Sequence, residues 1–334
     1  MLLTLAAASP AAAQSQKRDH PARAAAALLW SDPGDIKSRD LFYGPGGKAD
    51  LPHGPMKFLK EDRNGNSPKF DVLDPEGHKW RAKVGLEAQP ETVAVRLLWA
   101  VGYASNENYF FPDLQIDGLP KHLHRGQEFV HADGHVAGVR LQQQPADAGK
   151  KKGAWDWRHN PFRGGREFNG LRVMMALISN WDLYTGNNAI RGEKDGKELY
   201  EVTDVGASFG RMGRSYTDAM SKNNLPAYRR SKFVAKVTPE YVDLNFPTHP
   251  PFLYVFNPPM WWKYIGNHWI GKHIPRADVR WIASLLAQLT PKQIRDAFRA
   301  AGYTPEQVEA YASTVEQRIA SLSQLDPSSA QPAR

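Results

Sequence analysis

The sequence predicts an α+β chain of two lobes, a small β-rich N-terminal one followed by a larger, mostly helical one. Three observations carry this. A strand, turn, strand pattern at Lys69 to Val84 runs into an apolar-periodic helix at Gln89 to Gly102. A strongly apolar helical run at Phe168 to Ile178 leads into a polar loop and a second short hairpin. From Pro275 onward, three amphipathic helical patterns follow one another. With 334 residues and 41% hydrophobic content, the chain is long enough for two lobes of roughly 100 to 200 residues each.

In chain order, Met1 to Ala13 is uncharged and apolar and ends in Ala11-Ala12-Ala13, like the apolar core and cleavage site of a secretory signal without its basic start. It is read as a truncated signal segment, which places the chain outside the cytoplasm, in the periplasm; without a signal there, the chain is cytoplasmic. Residues 14–39 form an N-terminal extension. The first lobe spans 40–117. In it, Asp74-Pro75-Glu76-Gly77 supplies a tight turn between two strands, Pro90 sits at a first helical turn, and Phe110 to Leu114 is expected as the hinge. The second lobe spans 118–322. Gln142 to Gly165, rich in Gln, Lys, Gly and Pro, is expected as an exposed insertion. The C-terminal helices are expected at 277–289, 291–301 and 305–322, with Pro, Thr and Gly at their borders. Residues 323–334 form a disordered tail.

Chemistry concentrates in Asn180-Trp181-Asp182-Leu183-Tyr184-Thr185-Gly186-Asn187-Asn188, followed by Val202-Thr203-Asp204-Val205-Gly206. Asp182 precedes Asn187 by five residues, the interval that lets one carboxylate face an incoming hydroxyl while an amide turns back towards a metal ion. Strands at 189–190 and 199–203, joined by a Gly-rich turn, would return Asp204 beside Asn187. Carboxylate and amide oxygens suit hard cations such as Mg²⁺, which need only one or two protein carboxylates when triphosphate oxygens complete the shell. Singly, Asn180, Asp182 and Asn187 also fit capping and turn roles.

Upstream, Lys83 ends the second strand and Glu91 opens the next helix, a pairing that suits anchoring of ATP phosphates. Lys79 and Arg81 share the face of Lys83 by two-residue alternation, and Glu87 rivals Glu91. There is no Gly-x-Gly-x-x-Gly. The turn containing Gly65, Ser67 and Lys69 offers backbone amides and a hydroxyl to phosphate oxygens.

On these residues the chain resembles the protein-kinase-like superfamily, within it the atypical bacterial HipA-like serine/threonine kinases and the phosphatidylinositol kinases. The resemblance runs from about residue 60 to 215 and implies a two-lobed protein-kinase-like fold using ATP and Mg²⁺ or Mn²⁺. It implies Asp182 as catalytic base, Asn187 and Asp204 as metal ligands, Lys83 with Glu91 as the phosphate anchor, and Gly65 to Lys69 as phosphate loop. Tyr184 stands where HipA-like loops usually carry His, and Asp204-Val205-Gly206 replaces Asp-Phe-Gly. These departures keep the metal chemistry and leave the acceptor class open.

The net charge of +8 gathers between Ala207 and Thr238, where Arg211, Arg214, Lys222, Arg229, Arg230, Lys232 and Lys236 face only Asp218. A solvated basic loop and a site for an anionic substrate both fit. Nucleic acid is disfavoured for want of a binding module. The aromatic run Phe252 to Tyr264 is read as core and is too short to span a bilayer. The His122/His124 and His131/His135 pairs come without Cys, which argues against structural zinc. The expected activity is transfer of the ATP γ-phosphoryl group to a hydroxyl of a protein, lipid or sugar. The competing class is an exported, non-catalytic nucleotide- or ligand-binding scaffold, against which Asp182, Asn187 and Asp204 count.

Overall fold

The computed structural model describes residues 27–65, 67–144, 151–192, 197–211, 221–246 and 268–325. The signal-like segment, the C-terminal tail from 326, the aromatic run and Arg214 lie outside them. The described residues form a mixed α/β structure with six α-helices.

Five strands close into a barrel in the order β2 (Met56–Glu61), β3 (Lys69–Leu73), β4 (Lys79–Lys83), β6 (His135–Gln143) and β5 (Asn108–Asp117). Alternation along β4 sends Trp80 and Ala82 inward, where they join Phe70, Val72, Tyr109 and Val139 in one core, and puts Lys79, Arg81 and Lys83 on the other face. The expected β3–β4 hairpin is present, with Lys69 opposite Lys83. The first-lobe boundary needs correction. Phe110 to Leu114 is no hinge: it lies inside β5 and pairs along β6, which belongs to the next segment, so the barrel crosses the 117/118 border. A strand whose Tyr109, Leu114 and Ile116 are buried cannot swing without opening that core.

Between β4 and β5, α1 (Ala88–Ala100) packs on β5 and β6. Its sequence is apolar almost all round, and all but two of its side chains, Gln89 and Trp99, are buried. The described part of the N-terminal extension, residues 27–39, joins the sheet and the core. β1 (Ala27–Leu28) pairs in parallel with β9 (Glu198–Val202), and Leu29 and Ile36 enter the larger core.

That core gathers α2 (Arg166–Leu177), α4 (Arg276–Leu286), α5 (Pro291–Arg299) and α6 (Pro305–Ser323). Thr290 and Thr304 each close a capping box with Gln293 and Gln307, with Pro at the first helical positions, which is why both helices begin where the sequence places them. The sheet beside the core runs β1-β9-β8-β7, with β7 (Lys151–Gly153) and β8 (Asn188–Gly192). The described part of the expected insertion is therefore structural: Gln142 and Gln143 end β6, β7 adds to the sheet, and Trp155 and Trp157 are buried against each other. Apolar area on two indoles outweighs a Gly- and Lys-rich composition. A short helix α3 (Leu225–Arg230) and a three-stranded sheet of β10 (Val234–Val237), β11 (Tyr241–Leu244) and β12 (Ile274–Pro275) complete the described chain.

Candidate functional site: a carboxylate-ringed lysine in a cavity

A cavity of about 470 Å³ brings together residues from well-separated stretches of sequence, among them Ser67 and Lys69, Lys83 with Glu91, Arg140 on β6, and Thr203 with Asp204 after β9. At its wall the Lys83 ammonium lies 2.6 Å from Glu87 Oε2, 3.0 Å from Glu91 Oε2 and 2.5 Å from Asp204 Oδ1. Glu91 is shared, because its Oε1 also takes Arg140 Nη2 at 3.2 Å. Lys83, Glu91 and Arg140 are buried. Burial works against the Lys83 charge, but the carboxylates of Glu91, Asp204 and Glu87 outweigh it and hold the pKa above the ordinary lysine value. Burial likewise opposes the Glu87 charge, and Lys83 and Lys222 overcome it, holding its pKa down at about 2.

The elements explain this meeting. Glu91 stands in the first turn of α1, one turn after Glu87 at the N-cap, so both carboxylates point back towards the strand that ends at Lys83. Asp204 arrives through the expected β8–β9 hairpin, in register from Asn188 opposite Val202. Thr203 then fixes the return by donating its N–H at 2.8 Å and its hydroxyl at 3.0 Å to the Asn187 carbonyl. Asp204 holds φ at +55°, a left-handed conformation that Asp tolerates better than most residues. Two residues on, a side chain at Gly206 would lie 2.7 Å from Glu87 Cβ, so only glycine lets this loop close on α1.

In the loop before the hairpin, the Asp182 N–H donates to Asn180 Oδ1 at 3.1 Å, and Asn187 Nδ2 donates to the Asp182 carbonyl at 2.8 Å. Asn180 is fully buried and bonds Ser208. The Asn187 amide N–H is thus engaged within the loop, which leaves its Oδ1 as the atom to offer a cation. Asp182 is half-buried. Gly186 and Ala189, not Asp182 or Asn187, supply this loop's part of the cavity wall.

The residues expected as a phosphate loop border the same cavity. Gly65 (φ +68°), Ser67 and Lys69 line the cavity, Ser67 Oγ donates to Glu87 at 2.6 Å, and Lys69 Nζ lies 3.8 Å from Asp62. Lys79 and Arg81, the rivals of Lys83, are taken up by Asp71, with Arg81 also on Asp62 at 2.9 Å. Of the basic segment, Lys222 reaches Glu87 at 2.5 Å.

Two residues escaped the sequence reading. Arg140 lies beyond the expected lobe border, in a segment for which no strand is expected; the apolar Val136, Val139 and Leu141 of β6 are the available signal. Arg318 on α6 is buried and donates to the carbonyls of Ala176 and Leu177 and to Ser179 Oγ, satisfying the end of α2 immediately before Asn180. One arginine on an amphipathic helix gives no sequence signal of such a role.

No protein-family model matches the chain, and no curated protein matches its sequence. Among solved structures, the Helicobacter pylori proinflammatory kinase CtkA is similar at 12% identity over 83% of this chain and 100% of that one, with a TM-score of 0.43. The amicoumacin kinase hAmiN, in complex with AMP-PNP, Ca²⁺ and Ami, is similar at 9% identity over 96% of this chain and 98% of that one, with a TM-score of 0.22. Both are kinases. Scores this low carry no argument about the reaction, which rests on the residues themselves.

Proposed function

We propose that the chain is a kinase-like phosphotransferase that moves the γ-phosphoryl group of ATP to a hydroxyl acceptor on a protein, lipid or sugar. One observation carries the reading: a buried lysine held by a helix carboxylate and by an aspartate that a β-hairpin returns from 121 residues away, on the wall of a cavity. Kinase-type sites hold nucleotide phosphates with these parts. The pattern fits the protein-kinase-like superfamily and, within it, the HipA-like and phosphatidylinositol-kinase-like branch.

The donor set fits a hard divalent cation. Asp204 is about half exposed, its Oδ1 takes Lys83, and Asn187 adds an amide oxygen. Mg²⁺ or Mn²⁺ held by Asn187 and Asp204 would neutralise charge on the triphosphate. Lys83 donates to the α- and β-phosphate oxygens, with Glu91 and Arg140 fixing the position of its ammonium. Gly65, Ser67 and Lys69 border the phosphates. Asp182 accepts the proton of the acceptor hydroxyl as its oxygen bonds to the γ-phosphorus and the bond to the bridging oxygen breaks, releasing the nucleoside diphosphate.

No helix among the described residues is long and apolar enough to cross a membrane. The N-terminal segment supports export, in which case the phosphoryl donor must be available outside the cytoplasm. ATP turnover and autophosphorylation by the purified chain with Mg²⁺ and Mn²⁺, against Asp204→Asn, test the proposal. Tight nucleotide binding without turnover on protein, lipid or sugar acceptors would leave a non-catalytic nucleotide-binding module in its place.

A further inference from the structure

A second cavity, of about 1020 Å³, opens away from the lysine site, between the 158–164 loop, the α2 face and the 269–275 segment. Its wall carries Arg158, Arg163, Arg172, Lys272 and His273 around Trp269, and no carboxylate among the described residues lines it. Three guanidinium groups surround the indole, those of Arg172 at 5.1 Å, Arg163 at 5.3 Å and Arg158 at 5.9 Å from the ring centroid. Arg163 and Arg172 thus bring like charge to one ring, where an anion is attracted.

Arg172 is buried, and its hydrogen-bond acceptors are the carbonyls of Ile270, Trp269 and Lys272 and the Asn169 amide oxygen, with no carboxylate in contact. Burial, and then the neighbouring Arg163, push its pKa down to about 10. Among the described residues the cavity floor thus carries a positive charge without a counter-charge in contact, a costly arrangement unless something else compensates it. The Trp269 Nε1 donor is also buried without an acceptor among the described residues. Acidic groups stand behind the wall: Asp243 lies 3.7 Å from Lys272 Nζ, Asp278 accepts from Asn169, and Asp156 contacts His159. Asp243 also accepts the His273 N–H at 2.7 Å, holding that residue at φ +49°, a strained backbone at the cavity lip.

We propose that this cavity is a binding site for a phosphate-bearing ligand, held by the Arg163 and Lys272 side chains over a floor made positive by Arg172. Planar guanidinium forks match phosphate oxygens in pairs, and stacking on an indole restricts them beforehand. The site stands independently of the phosphotransferase reading, although its loop is tied to the polar loop of the lysine site through Thr185 Oγ1, which donates to Asp156 at 2.9 Å.

Calorimetric titration of the whole chain with inorganic pyrophosphate tests it, and no turnover is needed. Wild type is expected to show a binding component that weakens roughly tenfold or more in Arg163→Ser/Lys272→Ser, since each lost charge-assisted contact is worth about that factor. Arg81→Ser, in the wall of the lysine cavity, is expected to keep it. Both substituted side chains reach solvent, so the melting temperature should hold and confirms a folded variant. Parallel sedimentation with phosphatidylcholine vesicles, with and without phosphatidylinositol monophosphate, separates the two sources: vesicle binding lost in the same double variant assigns a lipid headgroup, and pyrophosphate binding alone a soluble ligand. A double variant that binds pyrophosphate like wild type, or a wild type that does not bind it, overturns the proposal.

Discussion

Lys83 Nζ and Asp204 Oδ1 lie 2.5 Å apart across 121 residues of chain, and this contact ties the barrel to the β8–β9 hairpin. Asp204 is also one of the two ligands proposed for the divalent ion, a role that can be separated from its contact with Lys83. In Asp204→Asn, Glu87 and Glu91 still hold the ammonium, and Asn tolerates the left-handed backbone about as well as Asp. The variant should therefore lose about 1 kcal/mol or less of stability, while nucleotide affinity in Mg²⁺ falls by about tenfold or more. Affinity equal to wild type in Mg²⁺ would remove Asp204 from the metal site.

Lys83→Met should behave differently. It leaves the buried Glu91 and the partly buried Glu87 without the ammonium they share, a change that costs roughly 3–5 kcal/mol in comparable buried networks. A much lower melting temperature is expected together with loss of nucleotide binding. Arg81→Met should retain more of both, since Arg81 is engaged by Asp62 and Asp71. Should Arg81→Met be the variant that loses nucleotide affinity more, the phosphate anchor is Arg81.

Acid should loosen the same cluster. The folded-state pKa of Glu87 is depressed to about 2 from an ordinary 4.5, because Lys83 and Lys222 outweigh its burial. A depressed carboxylate contributes stability that is fully present above its unfolded pKa and is lost as pH falls through the folded value. Stability measured by urea unfolding should thus decline between about pH 4.5 and pH 2 more steeply in wild type than in Glu87→Gln. Parallel curves for the two proteins would mean that the Glu87 contacts add nothing in solution.

How much of this was legible follows from the range of each interaction. The β3–β4 and β8–β9 hairpins, the α1 start and the capped C-terminal helices are written in neighbouring residues, and the sequence places them to within a few positions. The alternation that separates Lys83 from Trp80 is local too, whereas the choice among Lys79, Arg81 and Lys83 depended on Asp62 and Asp71 across the strand pair. Barrel closure was not legible, because the pairing of β5 with β6 joins two strands across a long connection and Phe110 to Leu114 carries a Pro that reads as a break. Arg140 and Arg318 act on partners about 50 and 140 residues away, a distance at which one sequence carries no pattern. The buried Trp155 and Trp157 show the reverse error, a polar composition read over two large apolar side chains.

Asp182 separates catalysis from binding. Its backbone is held on both sides, by Asn180 Oδ1 on its N–H and by Asn187 Nδ2 on its carbonyl, so the isosteric Asp182→Asn should keep the loop conformation. The residue does not line the lysine cavity, so ground-state nucleotide affinity should also stay within about a factor of three. Its proposed role is confined to the proton of the acceptor hydroxyl, where removing a positioned base lowers turnover by roughly a hundredfold or more. The expected result is therefore unchanged nucleotide affinity with a collapsed kcat on an acceptor that wild type phosphorylates. Equal turnover by wild type and Asp182→Asn would take the base away from this loop, and equal absence of turnover, with nucleotide bound by both, would make the chain a binding module.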